Sequence, residues 1–413
     1  MPTVAIVDGY SAGSSLSRAL AERGVTCVHV RSGETAGDYY QKTFRPGDYA
    51  VDLGFVADED RLVDRLRALG VDRVVAGTEP GVILADTLNH LLGTPGNDIA
   101  TVTARRDKSE MAATVAAAGL AVPAGRCFES VDQAVAWYAA SMSGPAVVKP
   151  VDSAGTDNVR FCESLDEVRL ACATVLASSN LYGVPNRRVL VQERLVGTEF
   201  YVNTVSHAGT HRVAEIWRYT KRPGPGGGPI YDYEEPVDRG SALARQLREF
   251  VFAVLDALGI RSSAAHTELM LTDRGPVLIE AGARLGGATL PDVVAKFCGV
   301  SQTFLQAQHL VDPASLDQFD DRTPGWAAAV RNVSLINPAP VAAQAGDWCS
   351  RLSELPAAVA IAASCSPGAE LPQTVDLFSS PGFLYLAGED PSEVERSYQL
   401  LRRWEQHGLY GSG

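Results

Sequence analysis

The sequence predicts an α/β chain of more than one domain, on three observations. Its first hundred residues alternate strand and helix patterns, as a βαβ unit does. A strand pattern in the middle of the chain carries a single lysine, Lys149, and runs into a loop of small polar residues. A later hairpin pattern, residues 262–290, sets two glutamates among apolar neighbours. At 413 residues the chain exceeds one typical core, and two or three domains are expected at the usual ~100–200 residues each.

Composition narrows the function classes. An apolar share of 46% and a charged share of 21% are those of an ordinary globular protein, and no apolar run approaches the ~18 residues of a membrane span. No membrane partner is expected. A net charge of −13 argues against nucleic acid bound through general phosphate attraction, which needs a basic face. Nucleotides need only a local cationic pocket and stay open. The N-terminus enters a strand pattern without a basic segment, apolar segment and cleavage site, so a cytoplasmic location is expected. Seven cysteines, scattered and without a Cys-x-x-Cys pair, read as buried thiols, not as a disulfide framework or zinc site.

Residues 3–8 form an apolar run, followed by a small-residue turn, a helical pattern to about 23 and a second strand at 25–30. Gly9 and Gly13 lie four apart and not in the Gly-x-Gly-x-x-Gly arrangement, so a dinucleotide site has the right context and the wrong spacing. A helix near 58–69 and a strand at 73–76 end in Gly77-Thr78-Glu79-Pro80-Gly81. Ligands gather outside such strand ends. Thr78 and Glu79 either touch a substrate there or form a capped loop before a helix.

From 101 to 118 the pattern is helical, with Arg105, Arg106 and Lys108 in its first turns. Basic groups at a helix N-terminus oppose its dipole unless an anion lies nearby, simple solvation being the alternative. The strand at 146–151 carries Lys149, which in an apolar strand should face an anion or else sit on an exposed face. Ser153, Ala154, Gly155 and Thr156 follow, small donors able to fold over phosphate. A strand near 188–193 leads on to Glu199, and His207 and His211 flank a hairpin turn, where surface positions are expected. The stretch from Arg222 to Glu235, rich in Gly and Pro and ending in tyrosines and acids, reads as a lid or a disordered insertion.

A helix from 241 to 258 returns the chain to the acidic hairpin, where Glu268 and Glu280 can face one another across two strands joined at Asp273-Arg274-Gly275. Paired carboxylates beside apolar residues call for a cation, and hard oxygen donors favour Mg²⁺. A surface hairpin with solvated acids is the bland alternative. Arg284 lies four residues beyond Glu280, and Gly286-Gly287 allows close backbone approach. Helices near 291–297 and 302–311, strands near 328–336 and 383–386 and a helix from 391 to about 407 complete the chain.

In this order the pieces resemble the ATP-grasp carboxylate-amine ligases over nearly the whole chain, most similar to bacterial L-amino-acid (dipeptide) ligases. The resemblance implies the ATP-grasp fold: a Rossmann-like N-terminal domain (1–100), a linking helix (101–120), a central lid subdomain (121–195), a catalytic subdomain (196–330) and a C-terminal mixed-sheet subdomain (331–413). It implies ATP contacts from Lys108, Lys149, Ser153, Ala154, Gly155 and Thr156. It assigns adenine and ribose to Gln192, Glu193, Arg194, Leu195 and Glu199. Glu268 and Glu280 match magnesium ligands, two ions being expected and Mn²⁺ acceptable. Arg284 matches the oxyanion-stabilising arginine and, with Lys149, the catalytic pair. Thr78, Glu79, His266, Arg284, Gly287 and Ala288 are the expected substrate residues. Where the family often has Asn, this chain has Gly282, which leaves two carboxylates for the metal. Where a relative has a bulky aromatic, it has Ala288, which implies a roomier pocket.

The implied reaction makes an amide through an acyl phosphate, releasing ADP and phosphate. Small-molecule amino acids or other carboxylates and amines are the expected partners, with a homodimer allowed. A purine-pathway or biotin-carboxylase-type ligase, a silent ATP-binding regulator and a NAD enzyme are the alternatives. A bicarbonate or phosphoribosylamine requirement would mark the first.

Overall fold

The N-terminal alternation closes into a parallel sheet. Strands β1 (Thr3–Val7), β2 (Thr26–Arg31), β3 (Val51–Phe55) and β4 (Arg73–Ala76) lie in the order β3-β2-β1-β4. The computed structural model describes residues 2–411 except 35–36, 226–227, 324–327, 343–347 and 365–367. Helices Ala12–Ala21 and Val82–Leu92 cover the sheet through Leu16, Leu20, Ala85 and Leu88. Because β1 has β2 on one side and β4 on the other, the loops after β1 and β4 open a crevice at a topological switch point. Thr78 and Glu79 stand in it.

A second, antiparallel sheet holds β5 (Gly125–Phe128), β6 (Ala146–Pro150), β7 (Arg160–Cys162) and β8 (Val189–Glu193) in the order β5-β8-β6-β7. Helices Val131–Ser141 and Leu165–Leu176 close a core of its own, Ala134, Val168, Cys172 and Val175 packing on Val148 and Val191.

The third sheet is antiparallel throughout and has eight strands: β9 (Thr198–His207), β10 (Thr210–Pro223), β11 (Pro229–Pro236), β12 (Ala264–Thr272), β13 (Gly275–Gly282), β14 (Ala329–Ser334), β15 (Ala358–Ala363) and β16 (Gly382–Gly388). Their order is β13-β12-β9-β10-β11-β14-β16-β15. The division expected at 330/331 therefore falls inside β14, and the C-terminal strands extend the catalytic sheet beyond β11. Helix Ala242–Ala257 lays Leu247, Val251, Val254 and Leu255 on this sheet, and Met111 and Val115 of helix Lys108–Ala117 join the same core.

Three expectations are corrected. The helical pattern from 101 to 118 divides: two 3-10 turns occupy Ile99–Thr101 and Thr103–Arg105, and the α-helix begins only at Lys108. Asp107 accepts the amides of Ser109 and Glu110 and so starts the helix there. The 222–235 stretch is not an irregular loop. Arg222 lies in β10, which ends at Pro223, and residues 229–235 lie within β11, while Gly226 and Gly227 fall outside the described residues. Alternation in Tyr-Asp-Tyr-Glu was the strand signal, masked by the glycines before it. Finally, His211 is buried, its ring meeting Ser206 Oγ at 2.7 Å.

Candidate active site

Two adjoining cavities form where the three sheets meet. The first, about 1110 Å³ with its mouth included, is lined by Lys108 from the capped helix, Lys149 and Pro150 from β6, and Ser153, Ala154, Gly155 and Thr156. Gln192, Glu193, Arg194, Leu195 and Glu199 form another side, and His266, Glu268, Glu280 and Arg284 its floor. The second holds Thr78 and Glu79 from the N-terminal crevice with Gly287 and Ala288. Gly155, Tyr231, His266, Glu268 and Arg284 line both. All sequence-predicted site residues thus gather at this junction.

Lys149 is buried and, among the described residues, makes no hydrogen bond or ion pair. Burial and then the neighbouring Lys108 ammonium push it down to about 8, against the pull of Glu280 and Glu268. An ammonium kept there without a partner needs an anion. Lys108 bridges the two sides, donating to the Ser153 carbonyl at 2.6 Å and pairing with Glu280 at 2.9 Å.

Glu268 and Glu280 sit directly opposite in the β12–β13 register. Glu268 accepts from Tyr219 OH at 3.1 Å and lies 3.5 Å from His266 Nε2. Burial would raise its pKa, but the His266 hydrogen bond and the Lys221 charge hold it well below the usual carboxylate range. Among the described residues no cluster of three or more His, Cys, Asp or Glu forms. Two oxygen donors side by side fit a hard cation that takes its remaining ligands from water and phosphate.

Glu79 is almost wholly buried, and both its oxygens are committed, Oε1 to Arg106 at 2.8 Å and Oε2 to Arg284 Nε at 2.7 Å. Burial works against the charge, but Arg284 and then Arg106 prevail and hold it down at about 2. Glu79 therefore acts through Arg284, not by an open carboxylate. A Cβ at position 282 would stand 2.7 Å from Glu79 Oε2, which is the physical reason for Gly282. Arg106, on the other side of Glu79, is the cation that sequence reading left without a task.

Further residues line the site. Lys221 pairs with Glu199 at 2.6 Å between the rings of Tyr219 and Tyr231. Glu234 accepts from Tyr201 OH at 2.8 Å and Asn332 Nδ2 at 3.2 Å, both on Oε2. No described residue bonds its Oε1, and the side chain lines the second cavity. Burial pushes Glu234 up to about 7 despite those two bonds. Strand alternation across 231–235 was the signal available for it. Asn332 also donates to the carbonyl of Ala288 at 3.2 Å, where the backbone is left-handed at φ 53°.

A buried lysine facing two paired carboxylates, beside an arginine fixed by a buried acid, defines a ligase that activates a carboxylate with ATP for attack by an amine. The comparisons with known proteins agree. Residues 142–292 match an ATP-grasp domain model, and the chain is 31% identical to dapdiamide A synthase of Enterobacter agglomerans over 97% of this chain and 95% of that one. The chain belongs to the ATP-grasp family and is an ATP-dependent carboxylate-amine ligase. Among solved structures, an L-amino acid ligase from Bacillus licheniformis superposes with a TM-score of 0.74 at 21% identity, covering 98% of this chain and 97% of that one. A carboxyaminoimidazole ribonucleotide synthase from Aspergillus clavatus gives 0.72 at 13%, covering 98% and 99%. At such identities these two show the fold alone. No helix among the described residues is long and apolar enough to cross a membrane.

Proposed function

We propose that this ligase joins an amino acid, through its carboxylate, to the amine of a second amino acid or related small molecule. The observation that carries this reading is the wall shared by the two cavities. Arg284, Glu268 and Gly155 line both the cavity that holds Lys149 and the cavity that holds Thr78, Gly287 and Ala288. The near full-length likeness to dapdiamide A synthase supports a synthase of this kind.

A carboxylate oxygen of the first substrate attacks the γ-phosphorus of ATP, the bond to ADP breaks and an acyl phosphate forms. Lys149 and Lys108 offset charge on the transferring group. Glu268 and Glu280 would hold magnesium, two ions being proposed with manganese as a substitute, and metal bound there would offset further phosphate charge. The amine nitrogen then attacks the carbonyl carbon, the bond to phosphate breaks, and the proton lost from nitrogen leaves with phosphate. Arg284, its Nε tied to Glu79, faces the tetrahedral oxyanion. The open oxygen of Glu234 supplies a countercharge for a substrate amino group. A cytoplasmic location and a homodimer complete the reading.

The test is ADP and phosphate release with ATP and Mg²⁺ across a matrix of paired amino acids, with mass spectrometry of each positive well. A pair-dependent product at the summed mass less water is expected. Turnover that requires bicarbonate or phosphoribosylamine and yields no such product would overturn the reading.

A further inference from the structure

Phe378 enters the site from an unexpected direction. Residues 372–379, before β16, have no regular secondary structure, yet their backbone is held tightly. Ser379 donates its amide to Asp376 Oδ1 at 2.8 Å, and its hydroxyl oxygen accepts the amides of Val375 at 2.9 Å and Asp376 at 3.0 Å. Thr374, buried, accepts the amide of Asn337 at 2.9 Å. This bracket presents Leu377 and Phe378 to the second cavity, where they join Gly287 and Ala288 in its lining.

The ring also meets the phosphate loop. A Cβ at Gly155 would stand 2.4 Å from Phe378 Cε2, and Gly155 has a left-handed backbone at φ 65°. Position 155 therefore excludes a side chain on two counts, one of them the Phe378 ring itself. Ala288 contributes only a methyl to the same cavity, so its large side chains come from elsewhere, Phe378 and Tyr231 among them.

We infer that Phe378, reaching in from the C-terminal segment, sets the upper size limit of the amino-acid side chain accepted beside Arg284. This rests on the proposed amino-acid substrate. Because the ring bears on Gly155, a side chain that displaced it would also disturb the loop beside ATP, so oversized substrates fail in turnover as well as in binding.

The test uses the full chain, wild type beside Phe378→Ala and Phe378→Leu, at saturating ATP with a fixed amine. Carboxylate partners run from alanine through valine and leucine to phenylalanine. The wild-type profile reads the function proposal; the ratio of variant to wild type reads this one. For Phe378→Ala, kcat/KM for the largest side chain relative to alanine should rise about tenfold or more, since a whole phenyl ring is removed and a single methylene of pocket is already worth about that much, with Phe378→Leu in between. A size profile unchanged in both variants, or a loss uniform across all side chains, would overturn the inference.

Discussion

Arg284 and Glu280 carry the sharpest expectations of single residues. Arg284→Ala should lower amide formation by roughly 10²–10³-fold, the usual loss for one oxyanion donor. Arg284→Lys should not restore it, because a point charge cannot reproduce the guanidinium fork that reaches both Glu79 and substrate. Glu280→Gln should also abolish ligation, with circular dichroism unchanged in all three; ligation retained in Glu280→Gln would remove that residue from the machinery. Glu234 makes a prediction of pH dependence. Its native pKa of about 7 exceeds the ordinary 4.5, so between those values the folded chain binds more protons than the unfolded one. Its contribution to stability is present below the lower value and is lost as pH rises through the upper. Glu234→Gln removes that dependence. Without ligand, the variant should gain on wild type from about pH 5 to 8, by about 3 kcal/mol at most. Denaturant midpoints at several pH values read this out, and parallel curves for the two proteins would contradict the buried acid.

Among the elements, the short helix Lys108–Ala117 has the most exposed dependence on one residue. Asp107 caps it and also pairs with Arg188, which precedes β8, while the first helical residue, Lys108, reaches both the Ser153 carbonyl and Glu280. Asp107→Ala should cost about 0.5–2 kcal/mol as a lost cap and raise KM for ATP in the same variant. A loss of stability with KM for ATP unmoved would detach the cap from the nucleotide. The acidic hairpin is the counterpart: β12 and β13 bring Glu268 and Glu280 into register by pairing alone, so the site's oxygen donors are set by sheet geometry. The β11 strand adds Glu234 and Tyr231 to the cavity, and Lys221 follows from β10.

At the scale of the molecule, the N-terminal sheet has one core of its own and shares a second with the eight-stranded sheet through Val4, Ile6, Ala264 and Leu285, whereas β5 to β8 close a core that includes neither. Amides of the second sheet should therefore exchange by local opening, and ATP with Mg²⁺ should slow them, leaving the helix Ala242–Ala257 unchanged. Uniform slowing across all three sheets would contradict this division. The hairpin, the lysine strand and the first βαβ unit were legible in the sequence because short-range patterns encode them. That Glu268, Glu280 and Lys149 would meet was legible because charge in an apolar setting demands a partner, while Arg284 was marked out by the family resemblance. Lys221 and Phe378 were not legible, since their positions depend on pairings far along the chain, and Pro and Gly at 223–229 disguised the ends of two strands. Arg106 called for a nearby anion in the sequence, and the N-terminal crevice supplies Glu79.

The contact between position 282 and Glu79 binds two distant sites into one inheritance. A side chain acquired at 282 must push the Glu79 carboxylate away from Arg284, and shortening that glutamate first likewise releases Arg284. Neither single step is silent, so the pair should change together or not at all across descendants of this chain. Relatives that carry asparagine at the position of Gly282 are then expected to hold their arginine by some group other than this glutamate.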